Sequence, residues 1–296
     1  MSELPKPRPY ITFETVYTEN PVQSGFDLKP TIAWVAGNKE LLSNRIDALI
    51  ASAKPSPHPE TIAQGDNPEL DSSYTRALLG LLPDGLHRLS ACDQIVGNGT
   101  LWFKPIEPDG SIDVTDNINE AMSPTAITTG GTTDAMNPPA LSVMLCKLPD
   151  AAIPDADVRK ILSGVTTIHE YLHTATWALL RNPDKKIQLP DGSITSGSQY
   201  ILEKFGSAAQ THGPISHYSR GYRNDDNTFQ SRDGDTNLAI EEEFVESLTT
   251  ATLGFACGSL TDITKDPFEG KEEVKQLCLD FLNATPVAPA LSERAA

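Results

Sequence analysis

The longest regular alternation of apolar and polar positions in this chain lies between residues 155 and 181. Apolar residues recur there at three- and four-residue steps, the period of a helix that buries one face. Pro154 with Asp155 or Asp157 is a typical helix start, and Asn182-Pro183 is a typical stop. The sequence therefore predicts a long helix over 155–181. Its buried face should carry Val158, Ile161, Leu162, Val165, Ile168, Leu172 and Leu179.

The same period predicts several other helices. The segment 238–255 is apolar on more than one side, which favours a central position in the fold. The predicted ranges are 40–53, 73–82, 198–205, 238–255 and 272–282.

Short runs of β-branched and aromatic residues predict strands. The predicted strands are 10–18, 31–36 and 142–146. A hairpin is also predicted, in which 94–96 and 100–104 flank Gly97-Asn98-Gly99.

Neither an internal repeat nor a linker-like segment divides the chain. We therefore expect a single domain over 1–282, within which 1–150 and 151–282 are candidate lobes. Residues 283–296 contain two prolines and small side chains without a regular period, so we expect a flexible tail there. The stretch 182–237 is polar and long, which favours a functional loop region.

The net charge of −17 at pH 7 argues against nucleic acid and anionic membrane surfaces as partners, because both need a positive patch. No apolar run is long enough for a transmembrane helix. Residues 1–10 lack the apolar core of a secretory signal. We therefore expect a cytoplasmic protein, or a secreted one if a leader has been removed. Composition does not indicate the oligomeric state.

His169-Glu170-Tyr171-Leu172-His173 has the pattern H-E-x-x-H within the predicted long helix. Residues four apart share a helix face, so both imidazoles can reach one metal ion. Glu170 then lies beside that ion, where it can take a proton from a water molecule. This is the chemistry of a zinc hydrolase, most often a peptidase. The alternative interpretation is a buried helix with two hydrogen-bonded histidines.

A catalytic zinc needs a third protein ligand and one open position. The extended metzincin pattern requires glycine at position 176 and histidine at position 179. This chain has Thr176 and Leu179 there, so that family is excluded.

The acidic run Glu241-Glu242-Glu243, followed by Glu246, lies in an otherwise apolar predicted helix. Burying carboxylates is costly unless they are paired or bind a cation, so this cluster is the candidate source of the third ligand. Helical register alone does not choose among Glu241, Glu242 and Glu243. The alternative is a solvated acidic first turn that the helix dipole stabilises.

The segments 169–173 and 242–246 resemble the gluzincins, H-E-x-x-H metallopeptidases whose third zinc ligand is a glutamate on a later helix. The pattern E-x-F-x-E is similar to that of several such groups, including peptidases of the anthrax lethal factor type. The resemblance implies that His169, His173 and Glu242 bind Zn²⁺ and that Glu246 supports a ligand histidine. It also implies an α+β, zincin-like fold with an active-site helix, a small mixed sheet and a second ligand-bearing helix. It covers these two segments alone and implies no particular substrate.

Three residues of the polar stretch are candidates to stabilise an oxyanion: Tyr218, Tyr222 and His217. His217 is also a candidate alternative metal ligand. Arg220 and Arg223 are candidates for binding a substrate carboxylate. The alternative for each of them is a surface loop residue.

The sequence as a whole predicts a zinc-dependent metallopeptidase that acts on a peptide or protein, with Glu170 as the general base. One alternative is a cytosolic biosynthetic metalloenzyme that acts on a small molecule. Another is a zincin-fold protein that binds a metal or a partner without turnover. Replacing Glu170 by Gln should abolish activity in the two enzyme interpretations and preserve a binding function.

Overall fold

The structure is a computed structural model that describes residues 29–65, 67–90, 92–98, 126–130, 141–146, 153–231, 236–260 and 262–287. The predicted strands at 10–18 and 100–104 lie outside these residues. Within them, helices predominate and short strands form two small sheets, so the α+β prediction is confirmed. None of the described helices is both long and apolar enough to cross a bilayer.

The elements follow one another along the chain as helices around two sheets. The helices are α1 (Lys29–Ser52), α2 (Ser72–Leu79), α3 (Asp84–Leu89), α4 (Ala156–Leu180), α5 (Gly197–Gln199), α6 (Gly206–His212), α7 (His217–Arg220), α8 (Asn237–Leu253) and α9 (Glu272–Leu282), with a π-helical segment at Tyr200–Phe205. The strands are β1 (Thr61–Ala63), β2 (Cys92–Asn98), β3 (Ala126–Gly130), β4 (Leu141–Cys146), β5 (Lys186–Gln188), β6 (Ile194–Ser196) and β7 (Thr285–Pro286).

The larger sheet has the strand order β1-β2-β4-β3. β1, β2 and β4 are parallel, whereas β3 pairs antiparallel with β4 at the edge of the described sheet. Ile95, Val143 and Leu145 are buried, so the central strands contribute to the core. The predicted strand at 142–146 is confirmed as most of β4. The smaller sheet has the order β6-β5-β7.

The predicted hairpin around Gly97 is wrong. β2 continues through Gly97 and Asn98, and residues 94–96 pair with β1 on one edge and with β4 on the other. Both edges of this strand are therefore occupied, which leaves no edge for 100–104. Gly97 does not form a turn. It allows the backbone at Gln64 to approach closely, because a Cβ atom at position 97 would lie 2.0 Å from the carbonyl oxygen of Gln64.

α1 contains both the helix predicted at 40–53 and the segment 31–36, for which the strand prediction is wrong. Thr31, Val35, Leu42 and Ile46 are buried and fall on one helical stripe, and α1 packs against α4. The β-branched residues of 31–36 favour a strand only weakly. Burial of a helical stripe on α4 overrides that preference.

α4 confirms the long helix predicted over 155–181. The Asp155 carboxylate accepts hydrogen bonds from the backbone N–H groups of Asp157 and Val158, which caps the helix start. α1, the larger sheet and α8 all pack against α4. Because it is surrounded in this way, α4 holds its polar residues away from bulk water.

The stretch 182–237 contains more regular structure than the sequence predicted. The helix predicted at 198–205 is one part of a helical run from α5 through the π-helical segment to α6. Tyr200 and Phe205 are buried although they are five residues apart. A wider π-helical turn brings residues at that spacing onto one side.

α8 confirms the central helix predicted at 238–255. The Phe244 side chain is fully buried. Its ring centroid lies 4.6 Å from that of Phe205 and 4.8 Å from that of Phe281. The helix ends at Gly254, whose φ of 72° is the left-handed conformation that often follows a helix end. α9, which matches the prediction of 272–282, packs on α8.

The flexible tail predicted at 283–296 includes residues that belong to the fold. Ala284 is buried, and β7 pairs with β5. Residues 283–287 therefore belong to the folded part of the chain. The remainder of the predicted tail, 288–296, lies outside the described residues.

Candidate metal centre

α4 presents His169 and His173 on one face, as the four-residue spacing predicted. Both side chains are buried, and their Nε2 atoms lie 3.2 Å apart. The face of α4 therefore provides a pair of imidazoles that converge on one point.

Glu242 of α8 approaches that point. Its Oε2 atom lies 3.5 Å from His169 Nε2 and 3.4 Å from His173 Nε2. An ion bound tetrahedrally at about 2.0–2.1 Å would separate its ligand atoms by about 3.3–3.4 Å. The three atoms therefore already stand at the spacing of metal ligands. Within the residues that the structure describes, this is the group of His, Cys, Asp and Glu side chains that can hold a metal ion.

Carboxylates also lie behind both imidazoles. His173 Nδ1 is 3.0 Å from Glu241 Oε1, which also accepts a hydrogen bond of 2.7 Å from the Thr176 hydroxyl. His169 Nδ1 is 3.5 Å from Glu246 Oε2. When Nδ1 donates to a carboxylate, the Nε2 lone pair is left for a metal. Each of the three glutamates thus has a different position around the pair of rings.

Glu241 and Thr176 were missed as partners of His173 by sequence reasoning. Thr176 follows His173 by three residues and so shares its face of α4. Glu241 was weighed only as a rival ligand to Glu242. The antiparallel approach of α8 to α4, which local helical register does not predict, directs Glu242 to Nε2 and Glu241 to Nδ1.

The buried charges of the centre shift one another's pKa values. Burial acts to lower the pKa of His169, but hydrogen bonds to Glu242 and Glu246 outweigh it and raise the pKa to about 9. Burial also acts to lower the pKa of His173, but Glu242 and Glu241 raise it well above its usual value. Burial acts to raise the pKa of Glu242, yet the two histidines hold it well below its usual range. The centre therefore favours ionised carboxylates next to positive charge.

Tyr218 and Tyr222, two of the predicted oxyanion residues, lie at the same centre. The Tyr218 hydroxyl donates a hydrogen bond of 2.8 Å to Glu242 Oε2, and the two tyrosine hydroxyls are 3.2 Å apart. Burial and the charge of Glu242 raise the pKa values of both tyrosines well above their usual value. Both hydroxyls therefore stay protonated and keep a proton to donate.

Glu170 and His217 have different surroundings. Glu170 is half-buried beside His169, and its charge contributes to the raised pKa of Tyr222, which places it on the tyrosine side of the centre. His217 is exposed. One residue advances a helix by about 100°, so the side chain before Tyr218 points elsewhere. The prediction of His217 as an oxyanion residue or ligand is therefore not supported by the described contacts.

Arg223 connects the segment that carries Tyr218 and Tyr222 to α8. Its Nε donates a hydrogen bond of 2.8 Å to Glu243 Oε2, and the two side chains are only 2% and 1% exposed. Its other nitrogens donate to the carbonyl oxygens of Ala209 and Asn227. Arg223 follows Tyr222, and Glu243 follows Glu242. Arg223 is therefore committed to this ion pair, whereas Arg220, the other arginine suggested for a substrate carboxylate, is exposed.

No protein-family model, curated protein or solved structure matches this chain. The comparisons therefore assign neither a family nor a known fold to it. What the centre does has to be inferred from its own geometry and chemistry.

We predict that Glu241→Gln weakens the binding of Zn²⁺ by about 10–100-fold, because His173 loses the charged hydrogen-bond partner of its Nδ1 atom. The change in affinity is measured by competition with a chromophoric chelator. Glu269→Gln, which alters an exposed glutamate, is the control and should leave the affinity unchanged. Equal affinities for Glu241→Gln and the unaltered protein would show that Glu241 does not support the centre.

We also predict that Arg223→Met lowers the free energy of unfolding by about 3–5 kcal/mol, because Glu243 is left as a buried charge without a partner. The measurement is denaturant-induced unfolding. The double variant Arg223→Met/Glu243→Leu should recover most of the loss, since it leaves no buried charge. A loss below about 1 kcal/mol for the single variant, as expected of an exposed ion pair, would contradict this role.

Proposed function

We propose that this protein is a zinc-dependent hydrolase of zincin-like fold, and most simply a metallopeptidase. The observation that carries the proposal is the set of three atoms, His169 Nε2, His173 Nε2 and Glu242 Oε2, spaced 3.2–3.5 Å apart. A general-base candidate, Glu170, directly follows one of these ligands on α4.

Two imidazoles and one carboxylate are a donor set that suits zinc better than harder cations. Three protein ligands also leave one position of a tetrahedral ion open, which is typical of catalytic rather than structural sites. When bound by these three residues, zinc would supply Lewis acidity towards a water molecule and a substrate carbonyl.

Glu170 would act as the proton carrier of the reaction. Its carboxylate takes the proton from the attacking water and later delivers it to the nitrogen of the leaving amine. It suits this role because it is half-buried beside His169 and so lies at the edge of the centre. A carboxylate that bound the metal itself would not be free to carry a proton.

Tyr218 and Tyr222 would stabilise the negative charge that develops on the substrate oxygen. Both tyrosines keep their protons because burial and Glu242 raise their pKa values. A hydroxyl that is held in place before the reaction stabilises an oxyanion without reorganisation at the moment of reaction. Tyr218 now donates to Glu242, so we infer that Tyr222 or Tyr218 turns towards the substrate when it binds.

A peptide is the substrate class that the surrounding fold favours. α4 contacts β3, the antiparallel edge strand of the described sheet. An extended peptide can add to such an edge through backbone hydrogen bonds, which would hold its carbonyl groups above α4. This interpretation requires neither nucleic acid nor a membrane as a partner.

We predict that Glu170→Gln abolishes hydrolysis but retains close to one equivalent of bound zinc, because the general base is lost and the ligands are not. Hydrolysis is assayed with casein and peptide pools, and in parallel with small-molecule esters and amides. The control is Glu269→Gln, which removes an exposed carboxylate that pairs with Lys265 and takes no part in the centre.

The screen also separates the alternatives. Turnover of small esters or amides without any peptide cleavage would point to a biosynthetic metalloenzyme. Zinc binding with no turnover of either class, in the unaltered protein as in Glu170→Gln, would contradict the hydrolase proposal and indicate a binding protein.

A further inference from the structure

The stripe of α4 that carries the two histidines continues towards the end of the helix. Trp177 and Arg181 follow His173 at four-residue steps, so all of these residues share one side of α4. The Trp177 ring lies 6.1 Å from the His173 ring, and the Arg181 guanidinium lies 4.8 Å from the centre of the Trp177 ring. A half-buried aromatic ring with a cation above it therefore stands next to the metal centre.

Arg181 has no carboxylate within ion-pair distance among the residues that the structure describes. It differs in this from Arg223, which is buried against Glu243, and from Arg159, which pairs with Glu69. The contact with the Trp177 ring restricts the position of the guanidinium. No described carboxylate pairs with its N–H groups, so they can bind a ligand. A planar fork of this kind is suited to bidentate binding of a carboxylate.

α8 packs against the same side of α4. Thr176 contacts Glu241 and His169 contacts Glu246, so α8 runs antiparallel to α4. The first turn of α8 therefore lies at the Arg181 end of α4. Leu238 in that turn is 46% exposed, and it shares a helix side with Glu242 because the two are four residues apart.

We propose that Trp177 and Arg181 form a carboxylate-binding subsite, with Leu238 as an apolar wall, that selects substrates of the metal centre. The inference rests on the proposed function, which it deepens by naming an acidic feature of the substrate. The carboxylate can be a Glu or Asp side chain or the free C-terminus of a peptide.

The distance along α4 sets where that carboxylate lies in the substrate. Trp177 is about 6 Å and Arg181 about 12 Å from His173 along the helix axis, at 1.5 Å per residue. An extended peptide covers about 3.3 Å per residue. The subsite therefore receives a group about two to four residues from the bond that is cleaved.

The net charge of −17 strengthens the selection. Such a charge disfavours anionic peptides over most of the surface, so an acidic substrate gains affinity only where a cation is held ready. We expect one charge-assisted, bidentate interaction to raise affinity by about tenfold or more over a neutral analogue.

The test measures binding of synthetic peptide pools to the zinc-loaded Glu170→Gln protein, in which turnover is blocked. Each pool fixes Glu, or its neutral isostere Gln, at one position, and each is made with a free or an amidated C-terminus. The expected result is binding about tenfold or more tighter for Glu at one position, or for the free C-terminus. The first outcome identifies a side-chain carboxylate and the second a terminal one.

The preference should disappear when Arg181→Gln is added and should weaken when Trp177→Leu is added, with zinc content unchanged in both. Arg88→Gln, on an exposed arginine of α3, is the matched control and should keep the preference. The inference is overturned if neither carboxylate changes binding, if the preference survives Arg181→Gln, or if Arg220→Gln removes it instead.

The two proposals fail separately. If the unaltered protein cleaves no peptide while the Arg181-dependent preference is found, the peptidase proposal fails and the subsite stands. If peptides are cleaved with equal kcat/KM for Glu and Gln pools and also for free and amidated C-termini, the subsite fails and the peptidase proposal stands.

Discussion

Two buried helices of opposite charge, α4 and α8, meet at the centre of this protein, and the neighbouring elements hold them in contact. α4 brings His169 and His173 into the interior, and α8 brings Glu241, Glu242 and Glu246 to meet them. Removing any of these charges from water is costly by itself. Together they are tolerated, because each carboxylate has an imidazole within 3.5 Å.

This charge arrangement accommodates a divalent ion without a change in total charge. Three carboxylates with two protonated imidazoles carry one net negative charge. The same carboxylates with two neutral imidazoles and one divalent cation carry the same charge. A divalent ion bound at this centre would therefore release the protons of the two histidines.

Around this interface, the fold limits how the centre can move. The larger sheet and α1 pack against α4. Phe244 of α8 packs against Phe205 and Phe281, which holds α8 in its position. The Arg223–Glu243 pair then ties the tyrosine-bearing segment to α8. The proposed catalytic role would require this kind of support, since small errors in position reduce rate strongly.

The sequence predicted α4 and the face that carries its two histidines well, because capping by Asp155 and the spacing of His169 and His173 are local features. It predicted α8 and α9 for the same reason. The choice of Glu242 over Glu241 and Glu243 followed only from the resemblance to gluzincins, since it depends on how two distant helices cross. The strand predicted at 31–36 and the hairpin at Gly97 were wrong because tertiary burial and sheet pairing decided those segments.

Whether His169, His173 and Glu242 bind one ion can be measured by X-ray absorption at the zinc edge, on protein loaded with one equivalent of Zn²⁺. We expect two imidazole nitrogens and carboxylate or water oxygens at about 2.0–2.1 Å from the zinc. Zinc without imidazole scattering, or with sulfur at about 2.3 Å, would lie elsewhere in the protein, and these three residues would then not be its ligands.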